Sequence, residues 1–122
     1  MGYRTQTLVP ALSYVAEGAA SRLSPGALVA ASLACRNALV NPVEAFGRIF
    51  LTESTASGYN SVFHLASGYF GWFNPLTWQG VLPVDNNQYI MFILHAPHSF
   101  PYRLTWWTMD RESVKAGIIG DP

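Results

Sequence analysis

The sequence predicts a mainly β protein, an antiparallel β-sandwich or barrel-like fold, with one or two short N-terminal helices. From Phe46 onward, several segments alternate apolar with polar or small side chains, the period of two that a half-buried strand requires. Clusters of Gly, Pro, Asn, Asp and Ser interrupt these segments, as turns between antiparallel strands do. The residues before Phe46 differ, because they are rich in Ala and Leu and contain only two aromatic residues, Tyr3 and Tyr14.

The length of 122 residues corresponds to one domain. No internal repeat and no low-complexity linker divides the sequence, so we predict a single domain over 1–122. Within this domain we expect a partly helical N-terminal segment at 1–45, a β-rich aromatic core at 46–110 and a tail at 111–122. One or two helical turns are expected over 110–116.

The Ala- and Leu-rich N-terminal segment contains the predicted helices. Pro10 is typical of the first turn of a helix, and the apolar residues of 11–23 fall near one helical face. The sequence Ser24-Pro25-Gly26 ends this helix. The next stretch, 27–40, is open to two interpretations, because its Ala and Leu residues favour a helix while an inward-facing strand would show almost the same pattern.

Five segments after this region are predicted to be strands. They are 46–51, 62–65, 78–84, 88–95 and 102–109. The residues between the third and fourth segments, Asp85-Asn86-Asn87, are a hairpin signal, and Pro83 places the third strand at a sheet edge or near its own end. The turn-rich or proline-containing segments are predicted to be loops, and they are 54–60, 68–75 and 96–101.

The charge distribution argues against nucleic-acid binding. Seven Lys and Arg residues balance seven Asp and Glu residues, whereas a nucleic-acid-binding protein needs a basic surface to neutralise phosphates. Only 11% of residues are charged, against roughly 25% in an average domain, and Asp85 is the only charged residue between Glu53 and Arg103. We therefore expect a surface that is covered by self-association, by other protein subunits or by membrane lipid headgroups.

Targeting signals are also absent from the sequence. The longest apolar stretch, 27–40, has fourteen residues and includes Arg36, whereas a membrane-spanning helix needs about 20 apolar residues. The N-terminus has no strongly apolar signal core. We expect a protein that is soluble or associated with an assembly, with no transmembrane helix and no signal peptide.

Motifs for catalysis, metal binding or cofactor binding do not occur. The sequence contains no G-x-S-x-G element, phosphate-binding loop or G-x-G-x-x-G pattern. His95 and His98 are spaced like a pair of metal ligands, but Pro97 disfavours a helix there and the nearest carboxylate in sequence is Asp85. Cys35 is the single cysteine, so no intrachain disulfide can form. We predict no enzymatic activity, no metal and no cofactor.

Two clusters of aromatic residues are the strongest functional signal. Aromatic side chains dominate protein cores and protein interfaces, and Trp and Tyr also lie at membrane interfaces. We expect some of these residues to contact a partner or lipid. The predicted contact residues are Tyr69, Trp72, Phe73, Pro97, Phe100, Tyr102 and Trp107.

The adjacent tryptophans are predicted to have different roles. On a regular strand, Tyr102, Leu104 and Trp106 share one face, while Arg103, Thr105 and Trp107 share the other. Because Arg103 and Thr105 mark their face as the one exposed to water, we predict that Trp106 lies in the core and Trp107 at a contact surface.

The segment 89–107, YIMFILHAPHSFPYRLTWW, contains a strand, a proline-containing aromatic loop and a Trp pair. Together with the preceding hairpin partner at 79–82 and the turn at 85–87, it resembles the actinoporin family of small β-sandwich toxins, which bind lipid headgroups and form pores.

The resemblance implies a lipid-contact site in the aromatic loop. The positions that match are Pro97, Tyr102, Trp106 and Trp107. In that family the loop supports contacts with phosphocholine and with the membrane interface. The helix expected at 11–23 would correspond to the N-terminal amphipathic segment of the family.

Three functions are compatible with the sequence. The first is a structural or interaction protein, a β-rich subunit of a virion, filament or multi-subunit complex. The second is a peripheral lipid-binding, pore-forming module of the actinoporin type. The third is a carbohydrate-binding β-sandwich. We favour the first, because zero net charge, few charged residues and surplus aromatic residues all fit an assembly interface.

Overall fold

The computed structural model describes residues 2–9, 12–36, 45–96, 101–110 and 113–120, with side chains described from residue 18 onward. These residues form nine β-strands. The strands are β1 Gly2–Val9, β2 Leu12–Arg22, β3 Gly26–Cys35, β4 Ala45–Thr55, β5 Gly58–Phe70, β6 Leu76–Val84, β7 Gln88–Ala96, β8 Tyr102–Asp110 and β9 Ser113–Gly120.

The strands form two antiparallel sheets that pack face to face. The strand order is β1-β2-β7-β4-β5 in the five-stranded sheet and β6-β3-β8-β9 in the four-stranded sheet. A single apolar core, with side chains from both sheets, lies between them. The described residues therefore form a β-sandwich, one of the two mainly β architectures that the sequence predicts.

The predicted N-terminal helices are wrong, because the described residues contain no helix. Most of 11–23 belongs to β2, which pairs with β1 on one side and β7 on the other. The described part of 27–40 is β3 as far as Cys35, paired with β6 and β8. Each of these two strands is hydrogen-bonded to a neighbouring strand on both sides, which pairs its backbone N–H and C=O groups. This pairing outweighs the helix preference of Ala and Leu.

The helical turns predicted over 110–116 are also wrong, because β8 continues to Asp110 and Ser113 begins β9. β9 pairs with β8 along its whole length. Ile119 packs against the core from this strand. The edge strand thus depends on pairing with β8 and not on its own sequence pattern, which is why the sequence did not reveal it.

The strand predicted at 62–65 is much longer in the structure. β5 spans Gly58–Phe70, and the turn before it is confined to residues 56–57. Two register shifts interrupt its ladder with β4, one between Ile49 and Phe50 and one between Leu51 and Thr52. Such bulges break the alternation of side chains along the strand, which conceals its length in the sequence.

The hairpin prediction is confirmed. β6 and β7 flank the turn after Val84, and Asn87 adopts the left-handed backbone conformation with a φ of 70°. The Asn87 side chain donates a hydrogen bond from Nδ2 to the Ser54 carbonyl oxygen at 3.1 Å. Pro83 lies on β6, an edge strand of its sheet, where the missing N–H costs no ladder bond.

A row of alternating large and small residues crosses the inner face of the four-stranded sheet. Trp78, Ala31, Trp106 and Gly117 are direct cross-strand neighbours on β6, β3, β8 and β9. Trp106 is buried, with only 7% of its surface exposed, which confirms its predicted place in the core. A Cβ atom on Gly117 would lie 2.3 Å from Cε2 of Trp106, so only glycine leaves room for the indole.

Replacement of Gly117 by Ala tests this packing. We expect Gly117→Ala to lower the free energy of unfolding by about 1–3 kcal/mol, the usual cost of overpacking a core, because the new methyl group meets the Trp106 ring. Ala116→Ser is the matched control, since Ala116 faces away from the core on the same strand. Urea unfolding measures both; equal midpoints for the two variants would show that the indole does not pack against β9.

The two tryptophans of β8 should differ in their effect on stability. Trp106→Ala is expected to cost about 3–5 kcal/mol, the range for removing a buried aromatic side chain. Trp107→Ala should cost less than about 1 kcal/mol in dilute protein, because its side chain lies outside the core. Thermal melts of both variants provide the comparison. The opposite ranking would mean that the register of β8 is shifted by one residue.

Candidate functional site

The outer side of the four-stranded sheet carries a mainly apolar surface, with Arg103 near the end where β8 begins. Cross-strand pairing places Gln79, Ala30, Trp107 and Ala116 in one row, immediately beside the inner row that contains Trp106. We call the apolar part of this surface the apolar face. It comprises Ala30, Val81, Trp107, Val114, Ala116 and Ile118.

The apolar face is unusually accessible for its composition. Val81, Val114 and Ile118 keep 70%, 59% and 60% of their surface exposed, and Trp107 is half-buried. Val81 comes from β6 while Val114 and Ile118 come from β9, so the exposed apolar residues span the full width of the sheet. Its size and the absence of charge distinguish it from the scattered single apolar residues that any protein surface has.

The apolar face has a ridge and a trough. Trp107 forms the ridge on β8, while the neighbouring positions on β3 are small. A register shift between Leu28 and Ala30 places both Val29 and Ala30 against the depression beside Trp107. Two shallow depressions of about 490 and about 640 Å³ border the indole, and Gln79 and Ala30 line both of them.

A second exposed surface lies at the end of the sandwich where β5 ends and β6 begins. Trp72 and Phe73 occupy the loop between these strands, with 42% and 75% of their surfaces exposed and ring centroids 6.2 Å apart. Tyr69 lies close by, on the outer side of the five-stranded sheet, where its ring meets the edge of Phe46 at 5.1 Å. Arg48 sits over the Phe46 ring, 5.6 Å from its centroid.

Backbone hydrogen bonds hold the loop that carries Trp72. The Gly71 N–H donates to the Asn74 carbonyl oxygen at 3.0 Å and closes a tight turn. The Cys35 N–H donates to the Gly71 carbonyl oxygen at 3.2 Å, which ties the turn to the end of β3. The exposed indole of Trp72 is therefore presented by a positioned backbone.

The predicted contact residues do not form one surface. Trp107 lies on the outer side of one sheet, whereas Tyr69, Trp72 and Phe73 lie at the end of the sandwich. Tyr102 is a correction, because its ring packs inward against Phe92 with centroids 4.7 Å apart and it belongs to the margin of the core. The inner face of β8 thus takes Tyr102, Leu104 and Trp106 together. Pro97 and Phe100 lie outside the described residues.

Several exposed apolar residues were not predicted from the sequence. Val114 and Ile118 were assigned to a helical or loose tail, and Val81 to an ordinary strand. Their alternation with Lys115 and Ile119 is the signal that β9 is a strand with one outward apolar side. Eight residues at a chain end give too short a pattern to choose strand over helix without the pairing partner.

The histidines and the cysteine do not assemble into a site. His95 is exposed near one end of β7, His64 stacks beside Phe50 with ring centroids 5.1 Å apart, and Cys35 is buried. His98 lies outside the described residues. Within the described ranges, no group of three or more His, Cys, Asp or Glu side chains is arranged to hold a metal ion.

Polar groups in the interior are paired. Every buried side-chain nitrogen or oxygen atom in the described part of the chain has a hydrogen-bond partner. Thr52, which is fully buried, donates from Oγ1 to the Tyr89 carbonyl oxygen at 3.2 Å. Gln88 accepts a hydrogen bond from the Asp85 N–H at 2.8 Å. These hydrogen bonds stabilise the fold.

Among the described residues, no helix is long and apolar enough to cross a membrane.

Comparison with known proteins adds no relative. No protein-family model, no curated protein and no solved structure matches this chain. The resemblance to actinoporins stays a prediction. The two exposed surfaces are the observations that bear on function.

Proposed function

We propose that this protein is a non-enzymatic structural subunit that self-associates by packing its apolar face against the same face of a second copy. The observation that carries the proposal is the apolar face on the outer side of the four-stranded sheet, where Val81, Val114 and Ile118 are exposed around Trp107. An interface of this kind would remove those side chains from water, and apolar burial is the dominant favourable term in protein association.

The area of the apolar face supports an interface between copies. Four strands spaced about 4.8 Å apart span about 19 Å, and eight residues at about 3.3 Å each extend about 26 Å. The whole outer side of the four-stranded sheet, which includes the apolar face, therefore measures about 500 Å², so two copies together cover at most about 1,000 Å², the lower limit for a specific interface. A patch of this size is at the upper range of what a monomer leaves exposed.

The shape of the apolar face favours a second copy of the same chain. The ridge at Trp107 and the trough at Ala30 are adjacent on neighbouring strands. A two-fold axis between two such faces would place each Trp107 in the trough of the other copy, because an isologous interface pairs a surface with itself. A central Trp in a depression, ringed by aliphatic side chains, is the usual arrangement of an interface hot spot.

The edge strand β5 supports growth beyond a dimer. In the described sheet β5 pairs only with β4, so its other side is unpaired. Val62 and Phe63 on this edge keep 46% and 50% of their surfaces exposed. Exposed strand edges add strands from other molecules, so this edge provides a second contact by which dimers would join into a larger assembly.

Substitutions on the apolar face test the proposal. The protein at micromolar concentration should sediment as a dimer or larger species, and Val114→Glu should convert it to the 13.4 kDa monomer, because the interface would bury an unpaired carboxylate. Phe73→Ser is the matched control, since Phe73 is more exposed than Val114, 75% against 59%, but lies on the other surface. Analytical ultracentrifugation measures all three proteins.

Each outcome of the sedimentation experiment separates the proposals. Phe63→Glu should keep the dimer and abolish species larger than a dimer. A wild-type protein that sediments as a monomer contradicts self-association. If that monomer floats with phosphatidylcholine–sphingomyelin vesicles, and Trp107→Ala does not, the lipid-binding alternative replaces the assembly proposal.

A further inference from the structure

The loop end of the sandwich contains a cleft that the apolar face does not use. It has a volume of about 350 Å³ and is lined by Ala34, Cys35, Arg36, Trp72 and Arg103. This volume lies in the range of small-molecule sites. The lining combines two arginine residues with an exposed tryptophan, so that cations and an aromatic ring border one cleft.

The two arginines reach the cleft from neighbouring strands. Arg103 lies directly opposite Ala34 in the ladder between β3 and β8, and Arg36 follows two residues after Ala34. The Arg36 N–H donates to the Pro101 carbonyl oxygen at 2.7 Å, which fixes the end of β3 to the start of β8. Because Ala34 is small, the space between the guanidinium groups stays open to a ligand.

The carboxylates described in the structure lie at the other end of the sandwich. Asp110 is seven residues beyond Arg103 along β8, a distance of about 23 Å at about 3.3 Å per residue. Asp85 and Glu53 also lie at that far end, since both contact Gln88 at the start of β7. Among the described side chains, two positive charges therefore line the cleft, and an anion would neutralise them.

Trp72 adds a ring-binding surface to this anion site. Its indole keeps 42% of its surface exposed, and Phe73 meets it at an interplanar angle of 89° with ring centroids 6.2 Å apart. The turn at Gly71 and its hydrogen bond to Cys35 hold the indole beside the arginines before any ligand arrives. Such preorganisation reduces the entropy that binding costs.

We propose that this cleft binds an acidic saccharide, a sugar ring that carries a carboxylate or sulfate group. Trp72 would stack against the ring, while Arg36 and Arg103 donate hydrogen bonds to the anionic group. A nucleic-acid strand fits less well, because it needs a continuous basic groove, and two arginines are the cations among the described residues that line this cleft. The site and the apolar face share the outer side of β8, where Arg103 lies four residues from Trp107, but no residue belongs to both.

Binding to isolated sugars tests the site. The indole N–H signal of Trp72, assigned with Trp72→Phe, is followed in nitrogen-15 NMR spectra while glucuronate, glucose 6-sulfate, glucose or adenosine monophosphate is added to the full chain. Glucuronate and glucose 6-sulfate should shift this signal, and glucose should bind at least about tenfold more weakly, because it lacks the charged acceptor.

Matched arginine variants identify the cations. Arg36→Gln and Arg103→Gln should each weaken binding by about tenfold or more, whereas Arg48→Gln, on the outer side of the other sheet, should change it less than about twofold. Arg36→Gln should keep the oligomeric state of the wild type, so failure of this site and failure of the assembly proposal are separate results.

Three results would overturn the site. The first is that neither acidic sugar shifts the Trp72 signal. The second is that Arg48→Gln loses as much sugar affinity as Arg36→Gln and Arg103→Gln. The third is that adenosine monophosphate binds as tightly as the acidic sugars. Trp72→Ala should abolish binding while its spectrum stays dispersed, and Trp72→Phe should retain part of the affinity measured by calorimetry, because the phenyl ring still stacks.

Discussion

The placement of Trp106 between the two sheets is the constraint on which the rest of the structure depends. Its indole fits only because the residues directly opposite are small, Ala31 on β3 and Gly117 on β9. If β3 or β9 shifted by one residue along β8, an outward-facing residue would take the place of Ala31 or Gly117 opposite the indole. The indole therefore fixes the register of β3, β8 and β9 relative to one another. Trp78 repeats this arrangement at the edge, where Gly80 leaves space for its ring.

The same register determines what the outside of the sheet presents. With Trp106 inward, Trp107 must face outward, and the small residues Ala30 and Ala116 become its neighbours. The alternation of large and small residues that packs the core therefore also produces a ridge and a trough on the opposite side. The apolar interior stabilises the sandwich. The outer side leaves apolar side chains exposed, and packing against a partner would bury them.

Charged residues lie at both ends of the sandwich. Arg36 and Arg103 share one end with Trp72, and Asp85 and Asp110 lie at the other. The surfaces proposed for assembly and for an anionic ligand share the outer side of β8 but use different residues, Trp107 and Arg103, and can be tested separately by single substitutions.

The sequence allowed the local features to be predicted, and the structure shows why others were not. The turn at Asn87, the edge position of Pro83 and the opposite orientations of Trp106 and Trp107 depend on a few adjacent residues, so their pattern was sufficient. The strands β2 and β9 depend on partners distant in the chain, so composition alone suggested helices.

The candidate surfaces also depend on residues distant in the chain, which limits what the sequence can predict about them. Aromatic content indicated contact residues but not which of them the fold brings together. Tyr102 packs inward against Phe92, and Trp72 lies near Arg36 and Arg103, which are far from it in sequence. Only the pairing of β3 with β8 makes that cleft visible.

Cross-linking from position 107 tests most directly whether the apolar face meets a second copy. A photoreactive benzoylphenylalanine replaces Trp107, nitrogen-15-labelled and unlabelled chains are mixed, and cross-linked peptides are identified by mass spectrometry. Self-association through this face predicts mixed-isotope products that join position 107 to the β3 peptide containing Ala30. Cross-links only within one chain, or to peptides from the five-stranded sheet, would contradict it.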